Sequence, residues 1–184
     1  MNLANARANA AAVELLELSS DHRALELGFG GGAALKKLAA RARSVAGIDV
    51  SEAAVRAARR TFRREIEKGR LEVEEASVEA IPFDDASFDR ILTVHTIYFW
   101  PDPDRGLREI LRVLKPGGRL VLVTDLRGPP KAIAKHGFSS YSQKQQGELL
   151  RTAGFSDVGF ERRGRVLFGL AAKARHLERD PGAR

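Results

Sequence analysis

The sequence predicts an α/β domain built on a mostly parallel sheet, and three observations support it. Short apolar runs alternate with amphipathic segments along the chain, the pattern of consecutive strand–helix units. A glycine-rich stretch, Gly28-Phe29-Gly30-Gly31-Gly32, falls between an apolar run and an amphipathic segment. The 184 residues, 43% apolar and 30% charged, suit one domain with a real core.

Taken in order, a helix is predicted over Ala8 to Leu18, with Val13, Leu16 and flanking alanines on one face. Asp21-His22 turns the chain into a buried strand, Arg23 to Leu27, which ends in the glycines. A helix over Ala33 to Ala40 and a strand over Val45 to Val50 follow. Ser51 is a side-chain cap for the next helix, and Glu52 suits its first turn. Val55, Ala58, Phe62 and Ile66 recur at helical spacing, and Gly69 stops that helix. Strands are predicted over Leu71 to Glu74 and Phe88 to Val94. Pro103 opens a helix whose inner face is Leu107, Ile110, Leu111 and Leu114. Lys115-Pro116-Gly117-Gly118 turns into a strand over Arg119 to Thr124. Asp125 to Tyr141 reads as a loop, and Ser142 to Ala153 as a helix stopped by Gly154. Strands near Val158 to Glu161 and Arg165 to Ala172 close the domain.

Composition excludes several chemistries. The chain has no cysteine, so there is no disulfide framework, thiolate nucleophile or cysteine-ligated zinc. The four histidines are scattered and no carboxylate cluster has ligand spacing, so no metal site is expected. No run approaches the ~18–20 apolar residues of a membrane span. Met1 to Ala12 lacks the parts of a secretory signal, so a cytoplasmic location is expected. The net charge of +7 favours anionic partners. An arginine-rich solvated surface is the simpler account.

The glycine loop carries the sharpest chemistry. Glycine there lets the backbone turn tightly and lets a ligand approach without a Cβ in the way. Asp49, 21 residues after Gly28, ends the second strand, where a carboxylate accepts bonds from ribose hydroxyls. These features alone leave a nicotinamide dinucleotide and S-adenosylmethionine both open, since Gly28, Gly30 and Ala33 also fit the dinucleotide pattern. Glu26, two positions before the glycines, favours a ligand bearing an ammonium over a pyrophosphate. The chain also has no room for a hydride-acceptor domain and no Tyr-x-x-x-Lys pair, Lys144 being one position too close to Tyr141.

Five ordered stretches resemble the class I S-adenosylmethionine-dependent methyltransferases, within the small-molecule branch that includes the ubiquinone and menaquinone types. They are Glu26 to Gly32, Gly47 to Ser51, Ala76 to Phe83 with Ser87-Phe88-Asp89, Leu111 to Gly118, and Ala153-Gly154-Phe155. The resemblance runs from about Val13 to Lys173. It implies a Rossmann-like, mostly parallel seven-stranded sheet with helices on both faces and the last strand antiparallel. It also implies a single methyltransferase domain over 1–172, with 1–20 as an N-terminal helix and lid and 173–184 as a charged flexible tail. By resemblance the cofactor is S-adenosyl-L-methionine, contacted by Glu26, Gly28, Phe29, Gly30, Gly32, Asp49, Val50, Ser77, Val78, Thr93, Val94 and His95. The family often has aspartate where this chain has Ser77, and a serine hydroxyl still accepts a bond from the adenine amino group.

The reaction implied is in-line methyl transfer to an O, N, S or carbon nucleophile of a small molecule. Such a reaction needs alignment and exclusion of water more than acid–base help. His95, just past the fourth strand, is the candidate base, and Tyr98, Trp100, Asp125 and His136 are candidate substrate contacts. His22 and His176 read as surface residues. Nucleic acid is the less favoured partner, because Thr93 to Ile97 stands where base-amine methyltransferases carry Asp/Asn-Pro-Pro-aromatic. Arg56, Arg59, Arg60, Arg63 and Arg64 form a basic helical stripe, for which a solvated face is a simpler account than a nucleic-acid footprint. An RNA or protein methyltransferase and a non-catalytic S-adenosylmethionine-binding module are the alternatives. A monomer or homodimer is expected.

Overall fold

The computed structural model describes residues 3–128 and 141–175. Seven strands form one sheet in the order β3-β2-β1-β4-β5-β7-β6. They are β1 (Arg23–Leu27), β2 (Ser44–Asp49), β3 (Leu71–Glu75), β4 (Phe88–Val94), β5 (Leu114–Asp125), β6 (Ser156–Arg163) and β7 (Val166–Ala172). The first five pair in parallel, and β7 runs antiparallel to both β5 and β6. The expected mostly parallel, Rossmann-like sheet is therefore what the chain forms.

Alternation along the strands feeds two cores. Ala24, Val45, Leu92, Val121 and Val123 face one side, under α1 (Leu3–Leu15), α2 (Ala33–Ala39) and α3 (Glu52–Thr61). Leu25, Ala46, Ile91, Leu120 and Leu122 face the other, under α5 (Pro103–Val113) and α6 (Gln143–Ala153). Both faces are thus covered by helices, as a parallel sheet requires.

Several helices begin where the sequence places a cap. The Ser51 side chain accepts from Ala54 N at 3.3 Å and that of Asp102 from Arg105 N at 3.0 Å. Ser142 and Gln145 form a reciprocal capping box at α6, and Gly154, at φ 103°, ends that helix.

Four boundaries depart from expectation. The first helix starts by Leu3 and stops at Leu15, not Leu18. The helix after Ser51 breaks at Phe62 and resumes as the short α4 (Arg63–Glu67). The last strand pair begins earlier, β6 starting at Ser156. Lys115 to Gly118 is not a turn ahead of a strand but a bulge within β5. Leu114 already pairs with Phe88 and Arg119 with Arg90, so the intervening residues are extruded between two paired segments.

The chain order reverses between β1 and β4: β2 and β3 continue to one side, β5 to the other. Open α/β sheets bind ligands at the carboxyl ends of strands at such a reversal. No helix among the described residues is long and apolar enough to cross a membrane.

Candidate functional site

A cleft of about 480 Å³ opens at that reversal, within the usual range for a small-molecule site. Its walls come from the ends of β1, β2 and β4, the stretch after β3, and a single 3₁₀ turn at Ile97–Phe99. Of the expected contacts, Gly28, Asp49, Val50, Ser77, Val78, Val94, His95 and Trp100 line it.

Local backbone chemistry shapes the β1–α2 corner. Gly28 sits at φ +67°, and a Cβ there would lie 2.5 Å from the Thr96 methyl carbon. Gly30 sits at φ +49° with nothing within 4 Å of such a Cβ, so its face stays open to an approaching group. The Asp49 carboxylate bridges this corner to the next helix. Its Oδ2 accepts from Gly30 N at 2.8 Å and its Oδ1 from Ser51 N at 2.9 Å. A carboxylate has about four acceptor sites, so lone pairs remain for a ligand.

Glu26 lies off the cleft lining. Only 3% exposed, it sits with one oxygen, Oε2, lacking any hydrogen-bond partner. Burial pushes its carboxyl up to about 8; the nearby Asp49 charge adds to this and the Leu35 amide opposes it. A buried acid of this kind, beside the glycine loop, fits a cationic ligand group, which would replace its proton as the compensating charge. Phe29 is buried where a Cβ on Gly47 would meet its ring, and a Cβ on Gly32 would meet Phe62. Thr93 is buried with its hydroxyl paired to that of Thr96.

At the β4 end, His95 carries φ +58° on a non-glycine residue, a conformation that costs on the order of 1–2 kcal/mol. Its amide donates to Val123 O at 2.9 Å, and its Nδ1 is buried without a partner. Burial holds the imidazole below its usual range, with Asp125 opposing and Arg165 reinforcing the shift. The ring is therefore neutral at pH 7 and able to accept a proton.

Tyr98 and Asp125 do not line the cleft; they hold each other. The Tyr98 hydroxyl donates to the Asp125 carbonyl at 3.1 Å and accepts from its amide. Burial pushes the phenol up to about 12. The Asp125 carboxylate pairs with Arg165 at 2.9 Å and Arg127 at 3.4 Å. His136 and His176 lie outside the described residues.

The sequence reading did not place Leu27, Ile48, Ala76, Thr96, Phe99 and Pro101 in the lining. The Tyr98-Phe99-Trp100 run signals Phe99, which is 41% exposed on the rim that it shares with Val50, 72% exposed. Nothing local marks Thr96. On the arginine stripe, Arg56 pairs with Glu52, Arg59 with Glu74 and Arg63 with Glu67, so much of its charge is neutralised. Among the described residues no group of three or more His, Asp or Glu side chains could hold a metal ion.

Residues 25–122, the stretch that carries most of this cleft, match the family model described as a methyltransferase domain. The chain belongs to the class I S-adenosylmethionine-dependent methyltransferases. An S-adenosylmethionine-dependent methyltransferase from Aquifex aeolicus superposes with a TM-score of 0.75 at 26% identity, over 89% of this chain and 88% of that one. A demethylmenaquinone methyltransferase of Clavibacter sepedonicus is 32% identical over 139 residues. That match covers 76% of this chain and 55% of the relative, so this methyltransferase chain spans about half the relative's length. The [4+2]-cyclase SpnF shares the fold at a TM-score of 0.79 and 23% identity, over 92% of this chain and 82% of that one. A shared fold does not by itself fix the chemistry.

Proposed function

We propose that this chain transfers the methyl group of S-adenosylmethionine to a small-molecule acceptor by in-line displacement. The observation that carries the reading is the cleft at the β1–β4 reversal, with the Asp49 carboxylate at one end and the neutral His95 imidazole at the other. When bound, S-adenosylmethionine supplies a methyl group already activated by its sulfonium.

The chain's own residues then divide the work. Asp49 accepts from the ribose hydroxyls while keeping the glycine loop in place. Ile48, Val50 and Val78 wall the purine, and Ser77 meets its edge. Gly28, Gly30 and Val94 present backbone to the amino-acid portion, and Glu26 balances its ammonium from beneath. Thr93 and Thr96, joined by their hydroxyls, keep the β4 corner tight against Gly28. Phe99 and Trp100 offer apolar surface to a flat acceptor and exclude water. His95, a neutral imidazole on the cleft lining, takes the acceptor's proton, a contribution of about 10²–10⁴ where the nucleophile is an alcohol or amine. The Tyr98–Asp125 pair fixes the wall behind it.

Calorimetric titration with S-adenosylhomocysteine tests the reading. Micromolar binding to the wild type that collapses in Asp49→Ala supports it, and no binding to the wild type overturns it. A screen with labelled methyl donor then identifies the acceptor. Labelling of RNA in place of small molecules, with steep salt dependence, would move the substrate class to nucleic acid.

A further inference from the structure

We propose that Glu79 is a specificity-determining positioning residue. By accepting the hydrogen bond of the Ser77 hydroxyl it leaves that hydroxyl an acceptor only toward the cleft, so the cleft selects a purine edge bearing an amino group over one bearing an oxo group. The inference deepens the proposed function and rests on its reading of the β2–β3 side of the cleft as a nucleoside site.

The hydrogen bonds around Ser77 carry the argument. Ser77 lines the cleft, and its Oγ donates to Glu79 Oε2 at 2.7 Å and accepts from Glu79 N at 3.3 Å. A hydroxyl has one proton and two lone pairs, so one lone pair is left over and no proton. The carboxylate itself is held from behind. Its other oxygen, Oε1, accepts from Asp102 N at 2.8 Å, at the cap of α5. The Glu79 carbonyl accepts from Arg105 Nε at 3.0 Å. A backbone amide only donates, so both carboxylate oxygens face donors and the Ser77 proton has one direction to point.

The surroundings agree. The neighbouring walls Ile48, Val50 and Val78 are apolar, and the other polar side chain on this side, Asp49, is also an acceptor. A hydroxyl whose proton is given to a carboxylate accepts more strongly than a free one. An amino group meets the remaining lone pair. An oxo group would face it lone pair to lone pair, and sites built around a hydrogen bond reject partners that cannot make it.

Glu79→Gln reverses the polarity without changing the shape. The fixed Asp102 N–H claims the amide oxygen, so the NH₂ faces Ser77 and turns its proton outward. The experiment compares two ligand pairs: adenosine with inosine, and S-adenosylhomocysteine with S-inosylhomocysteine. Binding is read by the fluorescence of Trp100, the single tryptophan and part of the cleft lining, and melting curves verify that each variant is folded. The wild type is expected to favour the amino member at least tenfold. Glu79→Gln is expected to reduce that preference to threefold or less while holding or improving inosine binding. Ser77→Ala should also remove the preference, and adding Glu79→Gln to it should change nothing further. Equal weakening of both members in Glu79→Gln, or an unchanged preference, overturns the proposal. S-adenosylhomocysteine binding without the Glu79-dependent preference sinks this inference alone. The adenosine preference without S-adenosylhomocysteine binding sinks the methyltransferase reading and leaves this one standing. Loss of all purine binding sinks both.

Discussion

On the β2–β3 side of the cleft the polar side chains are tied down, whereas on the β4 side one is not. Asp49 binds the amides of Gly30 and Ser51, and Ser77 is locked to Glu79. Across the cleft, His95 holds a left-handed backbone with its Nδ1 buried and unpaired, in a lining it shares with the exposed Phe99. The first side is organised in advance and loses little on binding. The second carries strain and an unmet polar atom, features that gather at reacting centres. On the proposed reading, the difference teaches that cofactor binding and acceptor chemistry are built from separate parts here, and that each can be broken alone.

The largest expected effect is on the organised side. Asp49→Ala removes a charged acceptor and frees the glycine loop. Hydrogen bonds to charged groups contribute about 1.5–3 kcal/mol each, so calorimetry should show S-adenosylhomocysteine affinity falling about 10²–10³-fold. On the other side, His95→Asn keeps a residue type that tolerates left-handed backbone but loses the proposed base. Single-turnover methyl transfer should drop about 10²-fold, with S-adenosylhomocysteine affinity within threefold. A comparable loss of affinity would mean that the two sides are not separable. In the wild type the rate should decline as pH falls through the lowered pKa of His95, below about 6.5, and be flat above it.

The third expectation concerns stability. Gly28→Ala drives a Cβ to 2.5 Å from the Thr96 methyl carbon at a positive φ, whereas Gly30→Ala meets only the backbone penalty. Thermal unfolding should show Gly28→Ala destabilised by about 2–3 kcal/mol or more and Gly30→Ala by about 1–2. Equal shifts would show that the Thr96 contact yields freely.

The last is a pH effect at Glu26. Its folded pKa, about 8, lies above its unfolded value, so the folded state holds the extra proton between them. That stabilisation is complete below about pH 4.5 and lost as pH rises through about 8. The melting temperature of the wild type should therefore fall relative to Glu26→Gln over this window, and S-adenosylhomocysteine should bind with proton release. A pH-independent difference between the two proteins would refute the buried, protonated carboxyl.

Much of the fold was legible locally. The apolar run of Arg23 to Leu27, the helical stripe of Leu107 and Ile110, the cap at Ser51 and the stop at Gly154 are properties of a few neighbouring residues. The glycine loop and Asp49 were equally visible, since turn geometry and a strand-end carboxylate depend on short spacings. The bulge at Lys115 to Gly118 was misread because Pro-Gly-Gly is turn chemistry whether or not paired strand flanks it on both sides.

The sequence by itself determined the sheet, the order of its elements, the family and the end of the sheet where the cleft would lie. Only the tertiary structure decided that Glu26 sits beneath the cleft rather than in its lining, and that Tyr98 is engaged by Asp125. It also decided that the Ser77 hydroxyl donates a hydrogen bond to Glu79 and that the His95 Nδ1 has no partner. The physical reason is range. Periodicity and capping act over two to four residues, whereas burial, charge pairing and hydroxyl orientation are set by groups that meet only after the chain has folded, such as Glu79 with Asp102 and Asp125 with Arg165.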